Sequence, residues 1–158
     1  MVSFLMHMSR RNLMQQTEIR SPQINAQESS AISLLIIEDN QGQQVLFSII
    51  AEKLKMSANI VPSCGAGLAA AESKSFDVIL MDCKMPDMTG LECTKRMREI
   101  DQMHDRHTPI IAVTARAMPG DREKCLAAGM DDYLSKPFTI EQLNQKIRQW
   151  VSTGHLPN

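Results

Sequence analysis

The amino-acid sequence predicts an α/β fold in which one domain is built on a doubly wound parallel sheet. From Ile32 onward, short β-branched or apolar runs alternate with amphipathic segments, which is the pattern of βαβ units. The run at 77–81 is almost continuously apolar, as expected for a strand whose two faces are both covered. A chain of 158 residues is long enough to form one core without disulfides or a structural metal.

The first part of the pattern predicts two strands with a helix between them. Residues 32–37 are strand-like, and the apolar residues that follow recur at helical spacing. Residues 59–61 form a short second strand that Pro62 ends. The apolar positions of the first helix are Val45, Leu46, Ile49, Ile50 and Leu54.

The middle of the chain predicts a helix, a strand and a second helix. Residues 66–73 are rich in Ala and helical, residues 77–81 form the third strand, and residues 91–100 form the third helix. The apolar residues of this last helix fall on one side of it. They are Cys93, Met97 and Ile100.

The fourth and fifth strands also have a helix between them. Residues 110–113 form the fourth strand, and residues 121–128 form a helix that Gly129 ends as a left-handed residue. Tyr133 and Leu134 belong to the fifth strand. The sequence therefore continues the strict alternation of strand and helix.

The last helix begins at a capping box formed by Thr139 and Gln142. Its apolar residues repeat on one face. They are Ile140, Leu143, Ile147 and Trp150 or Val151. We expect one domain at residues 32–152, a flexible leader at 1–31 and a short tail at 153–158.

The composition excludes several classes of partner. The 17 basic residues against 18 acidic ones give a net charge of −1, which does not suit a strongly electrostatic nucleic-acid binder. The longest apolar stretch, residues 32–37, is far too short to span a bilayer. The four cysteines show no close spacing, so we expect reduced thiols in a cytoplasmic protein.

Chemically active side chains stand immediately after four of the predicted strands. In an open parallel sheet the carboxyl ends of the strands share one edge, where ligands bind. We therefore expect these side chains to converge on one crevice. They are Glu38 and Asp39 after the first strand, Asp82 after the third, Thr114 after the fourth and Lys136 after the fifth.

Three carboxylates in one crevice repel one another, and protonation or a cation must compensate the repulsion. A site made only of oxygen atoms suits a hard divalent cation, and Mg²⁺ fits best because it usually takes one or two carboxylates and phosphate oxygens. The hydroxyl of Thr114 and the ammonium of Lys136 would then bind the remaining oxygens of a phosphoryl group. Asp82 is the best placed nucleophile for forming an aspartyl phosphate.

Four motifs carry a family resemblance. They are Glu38-Asp39-Asn40, the segment 78–90 around Asp82, the segment 109–115 around Thr114, and Lys136-Pro137-Phe138. Together they resemble the receiver domain of two-component response regulators, over about residues 32–152. The segments around Asp82 and after Thr114 are most similar to the receivers of hybrid histidine kinases.

The resemblance implies a flavodoxin-like sheet of five strands in the order 2-1-3-4-5, with five helices. It implies that Asp82 takes a phosphoryl group from a phosphohistidine on a histidine kinase or a histidine phosphotransfer protein. Glu38, Asp39, Asp82 and the backbone carbonyl of Lys84 would hold Mg²⁺. Lys136 would neutralise phosphate charge, and its bond to Pro137 would be cis.

The resemblance also implies a conformational switch. Thr114 would move toward the phosphoryl group, and Tyr133 would change rotamer with it. The switch would alter the surface of the fourth helix, fifth strand and fifth helix, where a protein target would dock. A module of this kind signals and has no external substrate.

Two other functions stay open at this point. A phosphorylation-independent adaptor could have the same fold, and replacing Asp82 with Ala would leave its output intact. An aspartate-nucleophile phosphatase is the other alternative. Enzymes of that type have a second Asp two residues after the nucleophile, where this chain has Lys84.

Overall fold

The computed structural model of the chain describes residues 31–115 and 118–153. The leader before Ala31 and the tail beyond Thr153 lie outside the described residues, so their predicted organisation stays a prediction. No helix in the described part of the chain is both long enough and apolar enough to cross a bilayer.

Five strands form one parallel sheet in the described residues. They are β1 (Ser33–Ile37), β2 (Ser57–Val61), β3 (Val78–Met81), β4 (Ile110–Thr114) and β5 (Asp132–Ser135). The sheet order is β2-β1-β3-β4-β5. The predicted doubly wound α/β fold is confirmed, and so is the strand order that the family resemblance implied.

Five helices connect and cover these strands. They are α1 (Gln41–Lys53), α2 (Cys64–Ser73), α3 (Gly90–Met103), α4 (Asp121–Ala127) and α5 (Ile140–Ser152). Each predicted helix is present, with ends that differ from the predicted ones by a few residues. Differences of this size are ordinary, because helix ends fray and apolar periodicity does not mark the terminal residues.

The core consists of two apolar layers, one on each face of the sheet. Along β1, Leu35 and Ile37 pack into the layer that contains residues of α2, α3 and α4, whereas Leu34 and Ile36 pack into the layer with α1 and α5. Successive strand side chains point to opposite faces, so a strand covered on both sides needs an apolar residue at every position. The apolar run of β3 is fully buried for the same reason.

Helix α1 differs from the sequence expectation in which side chains it buries. Val45 is 60%, Leu46 43% and Ile49 57% exposed, although all three were expected to contribute to the apolar face. Phe47 and Ile50 face the core instead. The sequence offers two overlapping apolar sets on this helix, and the large ring of Phe47 takes the buried position, stacked against Phe138.

Side-chain caps fix where four of the helices begin, and Ser63 caps α2 by accepting from the backbone N–H of Ala66. Asn40 caps α1 by accepting from the backbone N–H of Gln43. Thr89 caps α3 and Thr139 caps α5, each in a full capping box with the residue three positions later. The box at Thr139 confirms the sequence prediction, as does the left-handed backbone of Gly129 after α4, at a φ of 105°.

The cysteines depart from the expectation that all four are reduced thiols. Cys64 of α2 and Cys93 of α3 form a disulfide, whereas Cys83 and Cys125 are free. Cys64 and Cys93 are 29 residues apart, so no short sequence motif predicts this disulfide. The two helices pack side by side on the same face of the sheet, and this packing brings the two sulfur atoms together.

Candidate functional site

Three carboxylates meet at the carboxyl edge of the sheet. Glu38 and Asp39 directly follow β1, and Asp82 directly follows β3, the neighbouring strand. Each residue offers a carboxylate oxygen, and these atoms lie within 4.8 Å of one another. The register of β1 against β3 pairs Ile37 with Met81, which brings the three acids to the same level.

Lys136 reaches this cluster from the end of the edge strand β5. It follows β5, and its Nζ donates to Oε2 of Glu38 at 2.9 Å. Glu38 is only 2% exposed, and its other oxygen accepts the backbone N–H of Asn40 at 3.1 Å. A buried carboxylate with both oxygens hydrogen-bonded in this way is held in one orientation.

Asp82 is the most electrostatically perturbed acid of the cluster. Burial raises its pKa, and the charges of Glu38 and Asp39 raise it further. The backbone N–H of Lys84, which donates to Oδ1 of Asp82 at 3.1 Å, and the charge of Lys136 act in the opposite direction without reversing the shift. Removing a carboxylate from water while other acids stand nearby favours its neutral form.

The backbone around Asp82 is held against the start of α3. A Cβ on Gly90 would lie 2.5 Å from the carbonyl oxygen of Asp82 and 2.8 Å from Cα of Cys83. The N–H of Gly90 donates to the carbonyl of Cys83 at 3.1 Å. Only glycine permits this contact between two backbone segments.

Thr114 and Tyr133 lie on the other side of Asp82, toward β4 and β5. Thr114 is the buried last residue of β4, and its carbonyl accepts the N–H of Lys136 at 2.9 Å. Tyr133 of β5 is partly buried and packs against the layer that contains α4. The peptide bond between Lys136 and Pro137 is cis, as the resemblance implied.

A cavity of about 180 Å³ opens next to the acceptor loop. Its lining combines the loop after β3, the end of β4 and helix α4. The lining residues are Cys83, Lys84, Thr89, Leu91, Thr114, Asp121, Lys124 and Cys125. Burial raises the pKa of the Cys83 thiol, and the neighbouring Cys125 adds to this effect, so the thiol is protonated near neutral pH.

The carboxylate cluster fits a hard divalent cation. It offers oxygen donors from three acids, and a single ammonium group, that of Lys136, is bonded to them. The pKa of Asp82 is raised first by burial and then by the charges of Glu38 and Asp39, so a cation at this position would relieve both effects. Carboxylate oxygens with room for water and phosphate oxygens are the ligands that Mg²⁺ selects.

Sequence reasoning missed two residues that organise the site. Asn40 caps α1 and also donates its backbone N–H to Glu38, so the helix start and the buried acid are fixed together. Asp87, in the loop after β3, accepts the N–H of Cys64 at 3.2 Å and ties that loop to the start of α2. The role of Asn40 could have been predicted, because an Asn directly before a helix is a common cap. The role of Asp87 depends on tertiary packing and has no local signal.

A comparison with families of known proteins identifies the chain. The family model of the response regulator receiver domain matches residues 34–148. The chain belongs to this family. This receiver domain includes all five strands and most of α5 within the matched range.

Curated relatives of this receiver domain are histidine kinases. The signal transduction histidine-protein kinase BarA of Shigella flexneri is 36% identical over 120 residues, which cover 76% of this chain and 13% of that protein. Hybrid signal transduction histidine kinase I of Dictyostelium discoideum is 39% identical over 123 residues, or 75% of this chain and 7% of that protein. The chain thus spans a small part of the length of the relatives it matches.

Solved structures place the fold among receiver domains. The receiver domain of a sensor histidine kinase from Pseudomonas aeruginosa, crystallised with magnesium in its active-site cleft, is 35% identical with a TM-score of 0.71. The match covers 78% of this chain and 99% of that one. The receiver domain of Ssk1 from Saccharomyces cerevisiae, in complex with the histidine phosphotransfer protein Ypd1, is 27% identical with a TM-score of 0.71. That match covers 81% of this chain and 94% of the other.

Proposed function

We propose that this receiver domain accepts a phosphoryl group from a phosphohistidine onto Asp82, as one step of a phosphorelay. The observation that carries the proposal is the cluster of Glu38, Asp39 and Asp82 with Lys136 bonded to its buried member. Such a cluster can bind a cation and a phosphoryl group together. The donor would be a histidine kinase or a histidine phosphotransfer protein.

We propose Mg²⁺ as the cation that this site uses. Glu38, Asp39, Asp82 and the backbone carbonyl of Lys84 would hold it. When bound, the ion neutralises negative charge on the carboxylates and on the phosphoryl oxygens. The magnesium in the related receiver domain from P. aeruginosa supports this assignment.

The transfer exchanges one bond for another at phosphorus. An ionised oxygen of Asp82 attacks the phosphorus atom, and the bond from phosphorus to the donor's imidazole nitrogen breaks. The imidazole keeps the electron pair of that bond and leaves as neutral histidine once it has a proton. Lys136 stabilises the charge on the transferred group, because its ammonium already lies beside the carboxylates.

Thr114 and Tyr133 would transmit the modification to the surface. The buried Thr114 lies at the end of β4 on the side of the cavity, where its hydroxyl could bond a phosphoryl oxygen. Movement of Thr114 would leave room for Tyr133 to change rotamer. We propose that a protein target reads the resulting surface of α4, β5 and α5.

The donor protein would dock on the outer face of α1. This helix begins two residues after Asp39, and Val45, Leu46 and Ile49 form an exposed apolar patch on it. Contiguous exposed apolar side chains often mark interaction sites. A helical phosphotransfer protein seated there would lie close to the carboxylate cluster.

Residues 32–152 would act as one signalling module rather than as an enzyme with an external substrate. We propose the cytoplasm as its compartment, because histidine kinases use cytoplasmic ATP to make phosphohistidine. No nucleic-acid partner is proposed, since the net charge of the chain is −1.

Intact-mass measurement with a small phosphodonor tests the acceptor. Purified protein incubated with acetyl phosphate and Mg²⁺ should gain one phosphoryl group, whereas Asp82→Asn should gain none. Wild type without an adduct, under conditions that phosphorylate a known receiver, would contradict the proposal and favour a phosphorylation-independent adaptor. Continued release of inorganic phosphate from many phosphomonoesters would favour a phosphatase.

Charged substitutions test the docking face. Ile49→Asp should lower the rate of transfer from a histidine phosphotransfer protein at least about tenfold and leave labelling by acetyl phosphate unchanged. Met103→Asp is the matched control, because Met103 is an exposed apolar residue at the far end of α3. Equal transfer rates for Ile49→Asp and the control would rule out this face.

A further inference from the structure

Two free cysteines lie in contact beside the acceptor. Cys83 directly follows Asp82, and Cys125 belongs to α4. Their sulfur atoms are 3.5 Å apart, which is close to van der Waals contact. A disulfide needs an S–S distance of about 2.05 Å, so the two sulfur atoms would have to approach by roughly 1.5 Å.

A reagent can reach this pair. Both cysteines line the cavity beside the acceptor loop, together with Thr89 and Thr114. Cys83 is partly exposed, whereas Cys125 is buried. A small oxidant therefore reaches Cys83 first, and Cys125 supplies the second sulfur that completes the bond. The raised pKa of Cys83 leaves little thiolate near neutral pH, so we expect the oxidation to be slow and to speed up as pH rises.

The pair belongs to a larger arrangement of sulfur atoms. The chain has four cysteines, and the other two are joined in the Cys64–Cys93 disulfide. All four pack in or against the same core layer, around the loop that carries Asp82. Disulfides that form in a reducing compartment are usually transient or redox-sensing.

Helix α4 is short and begins without a side-chain cap. It is the shortest helix of the described residues, with seven residues. Its N-cap residue, Gly120, has no side chain to cap it. A bond from Cys125 to the acceptor loop would add a covalent restraint between this helix and the loop.

We propose that Cys83 and Cys125 form a reversible disulfide that locks α4 to the acceptor loop. The bond would suppress the rearrangement of α4 that follows phosphorylation of Asp82, and this consequence rests on the proposed function. The site would thus respond to the redox state of its surroundings as well as to a phosphodonor.

The oxidant is a peroxide, and the chemistry balances with hydrogen peroxide. One thiol sulfur attacks a peroxide oxygen, the O–O bond breaks, and a sulfenic acid and one water molecule form. The second thiol sulfur then attacks the sulfur of the sulfenic acid and forms the disulfide. The displaced hydroxyl group takes the proton of the second thiol and leaves as a second water molecule. Two thiols are oxidised, and one peroxide is reduced. A dithiol reductant reverses the change through thiol–disulfide exchange.

Peptide mapping under non-reducing conditions tests the bond itself. After treatment of the full chain with hydrogen peroxide, we expect a cross-linked peptide pair containing Cys83 and Cys125, which dithiothreitol separates. The pair should be absent from Cys83→Ser and Cys125→Ser and should form in Cys64→Ser. Peroxide-treated wild type without this linkage, or with Cys83 paired to another cysteine, would overturn the proposal.

Hydrogen exchange tests the lock on α4. Oxidation should slow amide exchange of residues 121–127 about tenfold, and it should abolish the change that acetyl phosphate and Mg²⁺ cause in the reduced protein. Unchanged exchange of α4 in protein that carries the disulfide would overturn the locking role. Failure of the reduced protein to gain a phosphoryl group would refute the proposed function alone, since the linkage and the oxidation-dependent exchange are measured without a phosphodonor.

Discussion

At the scale of single residues, Asp82 is subject to two opposing demands. Its proposed role requires an ionised oxygen, yet burial and the neighbouring acids raise its pKa. The N–H of Lys84 and the ammonium of Lys136 offset part of this effect. The fold therefore bears a destabilising charge at the position where the chemistry needs it.

Asp82→Asn should stabilise the protein in the absence of metal. Removing the charge relieves the repulsion from Glu38 and Asp39, so we expect a gain of about 1 kcal/mol after allowance for solvent screening, or about 4 °C in Tm. Thermal unfolding at pH 7.5 measures the change. Glu72→Gln, at an exposed position on α2 away from the cluster, should leave Tm unchanged.

The gain in Asp82→Asn should depend on pH in a defined direction. Because the pKa of Asp82 is raised in the folded state from 3.8, the destabilisation is absent at low pH and grows as pH rises from 3.8 through the folded pKa. The difference in Tm between variant and wild type should therefore shrink on acidification. A difference that widens toward pH 4.5 would contradict this account.

Lys136 and Glu38 should behave as a coupled pair. Lys136→Met leaves the buried Glu38 without its cation, so it should destabilise the fold by about 3 kcal/mol. The double variant Lys136→Met/Glu38→Gln should recover most of that loss. Denaturant unfolding of the four proteins measures the coupling, and additive losses would show that the two side chains act independently.

At the scale of secondary-structure elements, Asp132 fastens β5 to α5. Its carboxylate accepts from Nζ of Lys146 at 2.8 Å, from Nε1 of Trp150 at 3.0 Å and from the N–H of Tyr133 at 2.7 Å. Burial raises the pKa of Asp132, but these hydrogen bonds outweigh it and hold the pKa below its ordinary value. These contacts between β5 and α5 lie within the surface that the proposed target would bind.

Asp132→Asn should weaken these contacts near neutral pH. The amide lacks the charge that Lys146 and Trp150 bind, so we expect a loss of about 1 to 2 kcal/mol. Because the folded pKa of Asp132 is lowered, its contribution is complete above 3.8 and is lost as pH falls through the folded pKa. Unfolding free energies measured at pH 7 and at decreasing pH below 3.8 should show a loss that stays constant above 3.8 and shrinks as the pH falls.

Individual elements differ in how well their sequence predicts them. The strands were predicted closely because a buried parallel strand must be apolar at each position, as in β3. The buried face of α1 was predicted less well, since Val45 and Ile49 are as apolar as Ile50, and only tertiary packing of Phe47 decides between the faces. The capping box at Thr139 needed no tertiary information, because the interaction is local.

At the scale of the whole molecule, the end opposite the carboxylates is held by an ionic network. Arg98 of α3 bonds the carboxylates of Asp101 and Asp131 and the carbonyls of Thr108 and Gly129. These partners precede β4 and β5, so one guanidinium fixes the amino ends of both strands. This network lies at the end of the sheet opposite the candidate site, so it can stabilise the fold without taking part in the chemistry at Asp82.

Arg98→Met should lower the stability of the fold without changing the reactivity of Asp82. The loss of the guanidinium removes one of the partners of each of two partly buried carboxylates and leaves the carbonyls of Thr108 and Gly129 without their donor, which should destabilise the fold by about 3 kcal/mol. Labelling of Asp82 by acetyl phosphate, measured per folded molecule, should stay unchanged. Arg148→Met, at an exposed arginine of α5, should change neither quantity, and equal destabilisation of the two variants would contradict the role of Arg98.

The candidate site was more predictable than the cysteine chemistry. Its residues stand at strand ends, and the rule that parallel strands share a carboxyl edge converts positions along the chain into proximity. Glu38 and Lys136 meet across 98 residues for this reason. No comparable rule exists for Cys64 and Cys93, or for Cys83 and Cys125, since helix packing against the sheet decides which of them face each other.

The close contact at Gly90 provides a natural spectroscopic reporter. Its amide donates to the carbonyl of Cys83, one peptide unit from the acceptor, and no side chain separates the two segments. Glycine resonances are readily recognised in a nitrogen–proton correlation spectrum. The Gly90 signal should therefore follow ligand and charge changes at Asp82 in real time, without an attached dye or label.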